Sequence, residues 1–232
     1  LYRKLDEKEL KMLRPDERYR RKYSKLLDEK GSGMFRIIPD QGCEDNGNVV
    51  NASPICRKFG FPGAGSSYSF RADSHRIRRL SDVTLVGNSL RASGAFNVAI
   101  FVQLGDIPVS KVDLNAKGLR FLSEYQPVVN AKDALNAAKR FAKGVKKDGF
   151  IYGRGVFAIK NTTFAMRSIA YRGKLLRSEV GVMYNELDFD KRRDIVVAFR
   201  IVDVAPNGIL TIVWKTLKQN KSPKLKMDKK NK

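Results

Sequence analysis

Two β-branched, apolar runs, Asp194–Val204 (Asp-Ile-Val-Val-Ala-Phe-Arg-Ile-Val-Asp-Val) and Ile209–Leu217 (Ile-Leu-Thr-Ile-Val-Trp-Lys-Thr-Leu), stand on either side of Ala205-Pro-Asn-Gly208. Asn-Gly tolerates the left-handed backbone of a tight turn, and β-branched residues fit a pleated surface. The pattern predicts an antiparallel hairpin, which constrains the fold more than any other feature. Further strands are expected at Val83–Val86, Val156–Ile159 and Phe164–Tyr171, and at Phe96–Leu104, whose nearly unbroken apolar character suits a central strand. Residues 34–65 are rich in Gly, Pro, Asn and Ser and read as a long loop region, with short strands at Phe35–Ile38 and Val49–Val50. No internal repeat recurs at a fixed period. The expected fold class is α+β: a mainly antiparallel sheet, one amphipathic basic helix over 130–148, a helical N-terminal segment and a disordered basic C-terminal tail.

The helix carries the clearest functional signal. Asn130 can cap its start, Asp133 sits at the third helical position and Gly149 follows its end. At about 100° per residue, Ala134, Leu135, Ala138, Phe141, Ala142 and Val145 share one arc. The same arithmetic gathers Lys132, Lys139, Arg140, Lys143, Lys146 and Lys147 on an adjacent arc with no carboxylate among them. Like charges at i, i+4 cost a few tenths of a kcal/mol per pair, so the arrangement gains the helix nothing locally. A solvated face is the bland alternative. An anion-facing helix is the functional one.

Charge supports the functional alternative. The 232 residues carry 46 Lys and Arg against 24 Asp and Glu, a formal net charge of +22. Such a balance points to phosphate backbones, anionic headgroups or an acidic protein face. Lys215–Lys232 holds eight lysines and one carboxylate with few apolar residues, so the tail from 218 to 232 reads as disordered. Residues 1–30 show helical spacing in two pieces broken at Pro15, with Leu5, Leu10 and Leu13 before it and Tyr19, Tyr23, Leu26 and Leu27 after it. Gly31-Ser32-Gly33 before Met34 has the shape of a linker, natural or engineered. The expected organisation is therefore a helical segment 1–30, a linker 31–33, one domain over 34–217 and the tail. In that division residues 1–30 are either native or a fused partner segment, a route to protein association or self-association.

A second basic cluster is Arg71, Arg76, Arg78 and Arg79 around His75, whose forks match phosphate bidentately. It follows Phe59, Phe61, Tyr68 and Phe70, and aromatics beside Arg are the ingredients of a base-stacking surface. The competing reading places these rings along an edge of the core. Smaller patches are Lys191-Arg-Arg193 and Tyr171–Arg177.

Catalytic signatures are incomplete. Gly60–Ser67 lacks the Gly-Lys-Ser/Thr ending of a phosphate loop, and Gly153-Arg-Gly155-Val-Phe-Ala158 leads into a strand rather than a helix. The lone His75 has no nucleophile elbow to serve, and a neighbourhood of Arg disfavours its protonated form. Glu186, Asp188 and Asp190 miss the spacing of a calcium loop. Cys43 and Cys56 can form one bridge or remain two thiols, and with a single His they cannot build a four-ligand zinc site without carboxylates. No metal and no cofactor is expected. No run approaches the ~18 apolar residues of a spanning helix, and no signal sequence is visible, which leaves an intracellular or virion location.

The first expectation is a non-enzymatic protein that binds nucleic acid, RNA or single-stranded DNA, as a ribonucleoprotein or viral packaging component. The alternatives are an assembly protein of viral-matrix type on an anionic membrane surface, and an interaction module that binds the helix 1–30.

Overall fold

The computed structural model describes residues 7–42 and 62–226. Three short helices come first: α1 (Glu7–Leu13), α2 (Glu17–Lys22) and α3 (Ser24–Leu27). Strands β1 (Ser32–Ile37), β2 (Ser67–Ser69), β3 (Ser74–His75), β4 (Val83–Val86), β5 (Ser89–Ala92) and β6 (Asn97–Gly105) follow. Helices α4 (Leu119–Glu124) and α5 (Ala131–Ala142) precede β7 (Val145–Lys147), β8 (Phe150–Gly153), β9 (Gly155–Phe157) and β10 (Thr162–Ala170). A small hairpin of β11 (Leu176–Glu179) and β12 (Val182–Asn185) comes before the long pair β13 (Arg193–Val204) and β14 (Leu210–Lys221).

The main sheet has seven strands in the order β1-β14-β13-β10-β6-β8-β7, and every neighbouring pair with a determined register is antiparallel. Its central strands are apolar on both faces because both faces are covered. Successive side chains alternate sides, so Val196, Ala198 and Val202 of β13 face the helices while Ile195, Val197, Phe199 and Ile201 face the other way. On the helical side they meet Leu119 and Leu122 of α4 and Ala134, Ala137, Ala138 and Phe141 of α5. On the opposite side they meet Tyr68, Val83, Leu85 and Leu90 of a five-stranded sheet ordered β3-β2-β4-β5-β9. The result is three layers with the long sheet in the middle. At roughly 1.5–3 kcal/mol per fully buried large apolar side chain, these two cores supply the stabilisation of the fold.

The helical layer also holds a buried ion pair. Arg167 of β10 donates from Nε and Nη2 to the two carboxylate oxygens of Asp194 at 2.8 and 2.7 Å. Its Nη1 donates to the carbonyls of Leu122 and Tyr125 at 2.7 and 2.6 Å, which ties α4 to the sheet.

Several boundaries differ from the sequence expectation. Gly31-Ser-Gly33 is no linker: Ser32 and Gly33 open β1 and pair with Lys215 and Trp214. The Gly31 carbonyl accepts from Thr216 N–H at 2.7 Å. The Ser32 hydroxyl donates to the carbonyls of Leu26 and Glu29, and Leu26 is buried in the helical core. Residues 7–30 therefore pack continuously onto the same domain. The tail is ordered well past 217: β14 runs to Lys221, Ser222 is buried, and Leu225 closes onto the core at 8% exposure. The basic helix stops at Ala142 rather than 148, because Gly144 takes a left-handed φ of 82° and the chain turns into β7. Val49–Val50, Cys43 and Cys56 lie outside the described residues.

Candidate anion-binding surface

Helix α5 is held at its start by Asn130, whose side-chain oxygen accepts from the N–H groups of Lys132 and Asp133 at 2.8 and 3.3 Å. Its buried face is Ala134, Ala137, Ala138 and Phe141, an i, i+3, i+4, i+7 set that keeps Ala134, Ala138 and Phe141 of the expected arc and adds Ala137. Small alanines let the helix lie close to the sheet. Leu135 is 56% exposed and Ala142 is exposed, so both stand outside the buried face.

This rotation sorts the predicted cations. Lys132, Lys139 and Lys143, spaced seven and four residues apart, line up opposite the buried face, and all three are exposed. None of them pairs with a carboxylate among the described residues. Arg140 lies off that stripe, on the side of Asp133, with its guanidinium 5.2 Å from the Phe141 ring centroid. Lys146 and Lys147 are not on the helix at all; they belong to the edge strand β7, where Lys147 sits 5.2 Å over the Phe121 ring.

Lys224 and Lys226 are fixed beside the body of the domain rather than free in a disordered tail. The carbonyl of Lys226 accepts from Ala131 N–H at 2.9 Å and its own N–H donates to Val129 O at 2.7 Å. Lys224 bridges to Arg172. The signal for this anchoring was Leu225, the single apolar residue between them. The helix stripe and the tail thus meet at the start of α5.

The Arg cluster at 71–79 does not join this surface. The Arg71 side chain is fully buried, paired with Asp82 through Nη1 and with Asp190 through Nη2 at 2.8 Å. Arg192 completes the cluster with a 2.7 Å bond to Asp190 and bonds of 2.7 and 3.0 Å to the carbonyls of Ala95 and Phe96. Burial, and then Arg71 beside it, lower the Arg192 pKa below the usual guanidinium value. Two cations and two carboxylates out of water balance one another, so Arg71 is a structural ion and not a phosphate ligand. Arg79 donates to Glu186 at 2.8 Å, and Arg177 shares the same carboxylate at 3.1 Å. Arg76 and Arg78 are half-buried.

The stacking surface is corrected as well. Tyr68 and Phe70 are 3% and 4% exposed; Tyr68 stacks on Phe35 and Phe70 meets Trp214 edge-on at 5.3 Å. These rings are core. Phe59 and Phe61 lie outside the described residues. His75 packs edge-on against Tyr68 at 5.3 Å, and its pKa is held down at about 4, by burial rather than by its Arg neighbours. Glu186 and Asp190 are taken up by arginines and Asp188 accepts from Asn185 at 2.7 Å. Among the described residues no group of His, Cys, Asp and Glu is arranged to hold a metal, and no helix is long and apolar enough to cross a membrane.

Comparison with protein-family models, curated proteins and solved structures produced no match.

Proposed function

We propose that this protein binds nucleic acid without enzymatic chemistry, by gripping phosphates along α5 and the tail anchored beside it. The observation that carries the reading is the stripe of Lys132, Lys139 and Lys143, directed away from the body of the domain with no carboxylate within it. A lysine row of this kind contacts phosphates as point charges and reads no bases, so binding is sequence-tolerant and dominated by counterion release. Lys146, Lys147, Lys224 and Lys226 extend the footprint around it. The net charge of +22 adds long-range steering towards a polyanion. A ribonucleoprotein or viral packaging role fits this mode of contact.

The same sign of charge would also hold the protein to anionic headgroups, so the test has two arms. Nuclease-treated protein, washed at high salt, is offered labelled single-stranded RNA and, separately, vesicles of phosphatidylserine and phosphatidylcholine. RNA binding that weakens steeply with salt, alongside weak vesicle flotation, is the expected result. Strong flotation with flat, weak RNA binding would overturn the reading in favour of an assembly protein on a membrane.

A further inference from the structure

Cations also converge at the N-terminal end of the fold, on elements separate from α5. A cleft of about 370 Å³ opens between α1, α2 and β1, lined by Lys11, Arg14, Pro15, Asp16, Glu17 and Arg36. That is room for a small ligand, whose sites span roughly 300–1,000 Å³. Met12 and Leu13 pack on the buried cluster of Ile38, Ala64 and Ile209, which pins α1 beside β1. Arg14 N–H donates to the Leu10 carbonyl at 2.9 Å, so the helical turn continues past Leu13. Lys11 and Arg14, three residues apart, therefore share one side. Pro15 is buried and breaks the helix there. In β1 the alternation sends Phe35 and Ile37 into the core towards the small sheet. Arg36 then stands on the opposite face with Met34, half-buried.

The cationic charge of this lining is uncompensated. Among the described residues none of Lys11, Arg14 and Arg36 pairs with a carboxylate, although two carboxylates stand on the same rim. Asp16 accepts from Arg18 N–H at 2.9 Å and lies 3.4 Å from Arg18 Nε. Glu17 lies 3.7 Å from Arg20 Nε. Both acids are thus taken up by arginines outside the lining. Like charges three residues apart repel, and a half-buried guanidinium has lost water without gaining an acceptor. Nothing among the described residues offsets this, and a bound anion would.

The donor set selects a phosphate monoester. Its terminal group carries close to two negative charges at neutral pH and three strong acceptor oxygens, which suit two guanidinium forks and one ammonium. A carboxylate or a phosphodiester offers one charge and two free oxygens. The rim disfavours a strand running through, because successive phosphates would have to pass Asp16 and Glu17. A group at the end of a molecule enters only once.

We propose that the cleft between α1, α2 and β1 binds a terminal phosphate monoester through Lys11, Arg14 and Arg36. The monoester is carried by a small molecule or by the 5′ end of a nucleic-acid strand. The site is separate from the α5 lysines, so the inference does not rest on the reading of that helix.

Nuclease-treated protein is titrated by calorimetry with uridine 5′-monophosphate and with uridine, and inorganic phosphate serves as competitor. Two variants change the lining: Lys11→Gln/Arg14→Gln, at exposed positions, and Arg36→Gln on the strand, each checked by melting temperature. The monophosphate should bind and inorganic phosphate should displace it, while uridine should not bind. Each variant should weaken the monophosphate by roughly tenfold or more, the scale of one lost charge-assisted hydrogen bond. Short RNA with a 5′-phosphate or a 5′-hydroxyl separates the two sources. Tighter binding of the phosphorylated end, lost in both variants, assigns the strand terminus; equal binding of the two strands, with the monophosphate still bound, assigns the small molecule. Monophosphate that binds no better than uridine, or a Lys11→Gln/Arg14→Gln protein that binds it like wild type, would overturn the proposal. The 5′-hydroxyl strand reports on α5 alone, so a flat salt slope there would count against the helix stripe and not against the cleft.

Discussion

Strand β1 passes so close to Trp214 that a β-carbon on Gly33 would lie 2.7 Å from the indole Nε1. The glycine is therefore needed where the first strand crosses the core, and what looked like a spacer is a packing residue. Gly33→Ala should destabilise the fold by about 1–3 kcal/mol, the usual cost of overpacking a filled core. Trp214 is the only tryptophan, so urea unfolding followed by its fluorescence reports on the same contact. An unchanged midpoint and emission maximum would show that β1 does not lie against the ring.

Arg71 gives the second prediction. Arg71→Met removes one cation from the buried set of Arg71, Asp82, Asp190 and Arg192, leaving an excess of carboxylate charge in the core. Breaking such a set by removing one partner costs about 3–5 kcal/mol. Thermal unfolding should show the loss, while the folded protein keeps the salt dependence of its RNA binding. Intact stability with a flattened salt dependence would return Arg71 to the surface as a phosphate ligand.

His75 makes stability depend on acid. Its pKa is held near 4 in the folded protein, against an ordinary value of 6.5, because burial disfavours the charged ring. The unfolded chain then binds more protons between those two values, so the contribution of His75 is complete above pH 6.5 and is lost as pH falls towards 4. At 1.36 kcal/mol per unit the loss is about 3 kcal/mol. Melting temperatures of the wild type and of His75→Gln, measured across this range, should differ in slope, with the variant the flatter. Parallel curves would contradict a buried neutral imidazole.

The long strands were legible in the sequence because their apolar runs exceed what a loop can carry. The hairpin at Ala205–Gly208 stands where its turn chemistry placed it, with β13 and β14 paired along their length. Helix α5 was legible as a helix, and its buried arc in part: Ala134, Ala138 and Phe141 lie on the expected arc, whereas Ala137 does not. Leu135 and Ala142 look apolar enough to bury, yet the face against the sheet turns slightly past them to take in Ala137, since close approach rewards a small residue over leucine. Its end was misplaced because Gly144 and Gly149 are both stop signals, and only the pairing of β7 with β8 decides between them. The Arg71 cluster misled for a different reason. Spacing shows how many cations share a segment but not that Asp82 and Asp190, 11 and 119 residues away, fold against one of them. In the tail the lysines dominate the composition, but the buried Ser222 and Leu225 decide its course.

The most direct test of phosphate binding by α5 is the slope of log affinity for single-stranded RNA against log salt, for wild type and for Lys132→Glu/Lys139→Glu/Lys143→Glu. Each phosphate contact on a single strand adds about 0.7 to the slope, so losing three should flatten it by ~2, with the melting temperature held because all three side chains face solvent. A variant that melts like wild type and keeps the wild-type slope would show that α5 does not face the nucleic acid.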